Sequence, residues 1–145
     1  MLDPVTWLNT DVLHQVFDDL EQNGIAWIDQ IYPDELLTAI RQECLQHHQL
    51  FRQAEIQNGR LSDIRSDHIL WIDEKLPLAQ RHLQYLLHFA QQLNYAFYFG
   101  IHEVEAHFAH YHAGEFYKLH RDNPQGKNGR VISTVFYLHE HWQDG

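Results

Sequence analysis

His120 and Asp122 stand at a spacing that can hold a metal. In an extended strand, residues two apart point to the same side, so this imidazole and this carboxylate would converge while Arg121 faces away. One further histidine would complete a 2-His-1-carboxylate face, which leaves coordination positions open and suits non-haem Fe(II). Taken alone, a His-x-Asp is more often a surface pair than a metal site. The chain carries 13 histidines in 145 residues. A metal site uses only three or four ligands, so most of these are expected in ordinary surface or core positions.

The totals narrow the partners. A length of 145 residues suits a single domain, 1–145, with one core, and 44% hydrophobic with 21% charged residues is a globular composition. A formal net charge of −10 opposes a sequence-independent grip on phosphate backbones, so no nucleic-acid partner is expected. The single cysteine, Cys44, rules out an internal disulfide framework and suits a reducing compartment. No run of 18 apolar residues is present, and "MLDPVTWLNT" lacks the pattern of a secretory signal. The expectation is a cytoplasmic protein with no membrane partner.

The elements that must position the pair follow from periodicity. "NTDVLHQVFDDLEQNG" predicts a helix capped by Asn9 or Thr10, with Val12, Leu13, Val16, Phe17 and Leu20 on one face and Gly24 as its stop. "IAWIDQI" predicts a strand. Asp34 can cap a second helix with Leu36, Leu37, Ile40, Cys44 and Leu45 inward. Asn58-Gly59 marks a turn, and "HILWI" is a strand candidate. A third helix starts near Pro77, with Leu83, Leu86, Leu87, Ala90 and Leu93 as its stripe. "VEAHFAHYH", "FYKLHRD" and "RVISTVFYL" read as strands. Helices first and strands last predict an α+β fold, with helices buttressing one face of a mostly antiparallel sheet.

Beyond the bare pair lies a longer pattern. Tyr111-x-x-Gly114-x-x-Tyr117-x-x-His120-x-Asp122, then Asn123-Pro124, then Arg130 and "STVFYL", resembles the Fe(II)- and 2-oxoglutarate-dependent dioxygenases of the prolyl hydroxylase type. The branch it most resembles contains the animal hypoxia-factor prolyl hydroxylases and their bacterial relatives. "NGIAWIDQIY" at 23–32 is similar to the first strand of that family, and "DIRSDHILWID" at 63–73 to the strand and loop beside its substrate entrance.

The resemblance implies N-terminal helices, about 1–95, packed on a double-stranded β-helix or jelly roll that begins about 103–145. It implies His120 and Asp122 as iron ligands, Tyr111 and Tyr137 at the 2-oxoglutarate pocket, and Asp67, Trp71 and Arg130 near the substrate. The cofactors implied are Fe(II), 2-oxoglutarate as cosubstrate and O2, with ascorbate as an accessory reductant. The activity implied is hydroxylation of an unactivated C–H bond, with a prolyl residue of a protein or peptide as the expected target. On residue type alone, Tyr111 and Tyr137 are equally well explained as packing aromatics, Trp71 as core and Arg130 as a loop charge. Asp63, Arg65 and Asp67 could form a local ion cluster of little weight.

In the family a distal histidine supplies the third ligand, and a basic residue beyond it grips the far carboxylate of 2-oxoglutarate. Here 23 residues follow Asp122. On the resemblance, the jelly roll is therefore expected to be incomplete, C-terminally truncated and without that third ligand, so activity of the chain as given is doubtful. Two other readings stand beside the enzyme. One is a non-catalytic binding fragment or pseudo-enzyme. The other is a cupin-like metal protein, in which His110, His112 and Glu115 supply the donors at a spacing one residue short of the usual pattern.

Overall fold

The computed structural model describes residues 8–54, 63–122, 126, 129–141 and 143. The turn expected at Asn58-Gly59 and the Asn123-Pro124 step lie outside the described residues.

The first helix, α1 (Thr10–Asn23), begins where Asn9 accepts a hydrogen bond from the Val12 N–H at 2.9 Å, so Asn9 rather than Thr10 is the cap. It ends at Gly24, whose φ of 71° is the left-handed conformation that glycine adopts without strain. Val16 packs from this helix against Phe89 and Leu93.

The second helix, α2 (Asp34–Gln46), carries Asp34 as its first residue, and Pro33 stands at the cap without a side-chain bond. Leu36 and Ile40 face inward. Leu45, expected on that face, is 61% exposed. Nine residues at 3.6 per turn place it about 180° from Leu36, whereas the seven to Glu43 bring that residue almost back into line. Glu43 is buried accordingly. Its carboxylate accepts the Leu78 and Ala79 N–H groups at 3.0 and 2.8 Å. Those are orphan donors at the start of α3 (Pro77–Phe97), which has no side-chain cap of its own. The inward face of α3 is Tyr85, Leu86, Phe89, Ala90 and Leu93; Leu87, placed on it by the sequence, is 44% exposed.

Three strands form an antiparallel sheet in the order β1 (Arg52–Gln53), β2 (His68–Trp71), β3 (His107–His110). The register pairs His68 with His110, Ile69 with Ala109, Leu70 with Phe108 and Trp71 with His107. Leu70 and Phe108 join the main core with Leu36, Ile40, Leu76 and Tyr85. The pleat therefore sends Trp71 and His107 to the other face.

The architecture is α+β, as expected, but strands and helices interleave: β1 and β2 precede α3. "IAWIDQI" forms no ladder among the described residues. Its alternation is real, since Ala26 and Ile28 pack on the second core cluster while Ile25 and Trp27 are exposed, yet no described strand pairs with it. "RVISTVFYL" behaves likewise: Ile132, Phe136 and Leu138 pack inward, and Val131, Val135 and Tyr137 are exposed. Of "FYKLHRD", the described pairing is a bridge from Tyr117 to Arg65, extended by the Lys118 N–H donating to Ile64 O at 2.8 Å and the Ser66 N–H to Phe116 O at 2.8 Å.

Candidate functional site

The Arg65–Tyr117 bridge brings the segment carrying His120 and Asp122 beside the chain that enters β2. His120 Nδ1 lies 2.7 Å from Lys118 O. A carbonyl only accepts, so Nδ1 carries the proton, and in neutral imidazole Nε2 is left with a lone pair. That lone pair faces Asp122 Oδ1 at 3.1 Å. Two acceptors at this distance repel unless a proton or a cation lies between them. The spacing is close to the about 3 Å that separates adjacent ligands held about 2.1 Å from an octahedral ion. The Ser133 hydroxyl donates to Asp122 Oδ2, and this bond leads in holding the carboxyl below its usual range. The donor chemistry of the pair therefore fits a divalent metal.

Behind the pair is an ordered platform. The Tyr117 and His120 rings stack with centroids 3.5 Å apart and planes 14° apart. The Arg65 guanidinium lies 4.2 Å from the Tyr117 ring centroid. Arg65 in turn grips Asp67 with two parallel bonds of 2.7 and 2.6 Å. Asp67 is fully buried, so Arg65 and Asp67 are not the weak surface ions that residue type alone suggested, and the Asp67 carboxylate is turned inward rather than presented at the surface. Tyr111 reaches the same carboxylate; burial first, then the charge of Asp67, raises its phenol pKa.

The other expected residues are more dispersed. Trp71, 46% exposed, meets the His107 ring edge-on at 4.9 Å, on the sheet face away from the core. Arg130 pairs with Glu105 at 3.0 Å. Tyr137 is 64% exposed and contacts His139 edge-on. Its outward side of the 130–138 segment is also the side from which Ser133 reaches Asp122. Sequence reasoning missed Ser133. The one signal for it was the alternation that puts Ser133 and Tyr137 four residues apart on a single side.

A second group of donors lies elsewhere. His68, His112 and Glu115 present one ligand atom each, all within 4.8 Å of one another, the one such group of three among the described residues. His112 and Glu115 were flagged in the sequence, but with His110 as their partner. His110 instead lies beside His112, with ring centroids 4.3 Å apart, and its pKa is lowered by burial and then by the neighbouring His112. His68 came into the group only through the β2–β3 register, which sets it opposite His110.

No helix among the described residues is long and apolar enough to cross a membrane. Comparison of the sequence with protein-family models and with curated proteins gives no match. Among solved structures, the chain is similar to a prolyl-4-hydroxylase from Pseudomonas putida, with a TM-score of 0.81 and 30% sequence identity. The similarity covers 90% of this chain and 69% of that one. With that identity over more than two thirds of the enzyme, the chain belongs to the prolyl-4-hydroxylase family.

Proposed function

We propose that the chain is an oxygenase domain of the Fe(II)- and 2-oxoglutarate-dependent class, with its jelly roll opening on the Trp71–His107 face, and that it acts on a prolyl residue of a protein or peptide. The observation that carries this reading is the His120 Nε2–Asp122 Oδ1 pair, an imidazole and a carboxylate 3.1 Å apart, with the Ser133 hydroxyl donating to that carboxylate. The likeness in fold to an enzyme described as a prolyl-4-hydroxylase supports it and suggests the substrate. When bound, Fe(II) would couple oxidative decarboxylation of 2-oxoglutarate to hydroxylation of a C–H bond.

This chain's own residues would do the rest. His120 and Asp122 would hold the metal, with the His120 ring fixed by Lys118 O and the stacked Tyr117. Tyr111 and Tyr137 would offer hydroxyls to the cosubstrate. Trp71 would give an approaching peptide an apolar surface, and Arg130 a charged one.

The test is Fe(II) binding, followed without oxygen by the visible absorption that 2-oxoglutarate produces on chelation. Expected is a band in the native protein that both His120→Ala and Asp122→Ala abolish. On admitting O2, formation of succinate and the gain of one oxygen atom by a proline-containing peptide would extend the reading from binding to turnover. A 2-oxoglutarate absorption band that survives both substitutions would overturn the reading.

A further inference from the structure

We propose that His68, His112 and Glu115 form a second metal site, separate from the His120–Asp122 pair, that takes a borderline divalent ion of the Zn2+ class. The strand register places His68 opposite His110, two residues from Leu70, and so on the core-facing side of the sheet. Trp71 and His107 take the other side.

The geometry of Glu115 is that of a shared ligand. Its Oε2 accepts the His112 N–H at 2.8 Å and lies 3.1 Å from His112 Nδ1, while Oε1 lies 3.2 Å from His68 Nδ1.

Both histidines pair with Glu115 by charge, but these pairs leave one buried atom of the group without a hydrogen bond. The Nδ1 of His68 is shielded from solvent and has no hydrogen-bond partner among the described residues; its approach to Glu115 lacks the geometry of one. A buried polar atom without a partner is rare in a folded protein. A cation set among the three donors would satisfy it. Tetrahedral Zn2+ with ligands about 2.0–2.1 Å away separates its donors by about 3.3 Å, close to the two N···O distances. With 58% of its side chain exposed, His112 leaves the group open to solvent, where water can take the fourth position.

The site does not depend on the oxygenase reading, and the experiment keeps the two apart. Zn2+ is titrated into the full chain carrying His120→Ala and Asp122→Ala together, against a chromophoric chelator, with folding checked by far-UV circular dichroism. One equivalent of Zn2+ is expected to bind. Adding His68→Ala or Glu115→Gln should weaken that binding at least tenfold, and His112→Ala should do the same should either of the first two fail to fold. Two results would each sink the proposal: no Zn2+ retained by the folded double variant, or an affinity unmoved by the folded His68, Glu115 or His112 substitutions.

Discussion

Asp122 stays ionised to lower pH because of a neighbour eleven places along the chain. The Ser133 hydroxyl donates to Oδ2, stabilising the charged form and lowering the pKa. Removing the donor reverses the sign. Ser133→Ala should raise the pKa of Asp122 and move the acid limb of Fe(II) binding to higher pH, leaving affinity near neutrality almost intact. A pH titration of metal binding in both proteins measures this; coincident acid limbs would show that the hydroxyl is idle. Arg65 works at the same scale. Its twin bonds to buried Asp67 leave its flat face for Tyr117, and Tyr117 in turn fixes the plane of His120.

Among the elements, α3 is capped by another helix. Its first free N–H groups point at Glu43 of α2, a carboxylate buried with only those donors described for it. Glu43→Ala leaves both unsatisfied and should lower the free energy of unfolding by about 1–3 kcal/mol in urea denaturation. Glu43→Gln keeps one acceptor and should recover part of the loss. Equal stability of all three would show that α3 closes its own end. The cap matters to the site because Leu76, at the N-terminus of α3, packs in the core cluster that also holds Phe108 of β3.

Across the whole molecule, the segment that supplies Ser133 and Tyr137 is held from behind. Phe136 stacks on His82 of α3 with centroids 5.2 Å apart, and Arg41 of α2 donates to Leu138 O and pairs with Glu140. The Tyr32 hydroxyl and His82 Nδ1 share a hydrogen bond of 2.5 Å, and burial raises the Tyr32 pKa while it pushes His82 down to about 4. The native state therefore carries His82 neutral. Unfolding lets it take up a proton near its ordinary 6.5. Its contribution is complete above that pH and is lost as pH falls from 6.5 to about 4, by roughly 3 kcal/mol in all. Urea denaturation across this window should show a slope that His82→Phe flattens; an unchanged slope would mean that carboxylates alone cause it.

How much of this was legible differs by kind of interaction. Local pattern sufficed for the three helices, because Asn9, Gly24 and Pro77 act on their own backbone neighbours. The His-x-Asp pair does converge, but through bends at Leu119 and Asp122 rather than in the extended strand that the spacing suggested. Local pattern failed for Leu45 and Leu87, because apolar type does not fix a rotation about the helix axis, and for "IAWIDQI", because alternation cannot supply a partner strand. Ser133 at Asp122, Glu43 at α3 and His68 at Glu115 are joined across 11, 35 and 47 residues. Contacts at such separations depend on strand register and helix packing, which arise only when the whole chain buries its apolar faces together. Residue order thus determined the pair that could ligate a metal, and the tertiary structure alone decided which side chains surround it and which second cluster of donors forms.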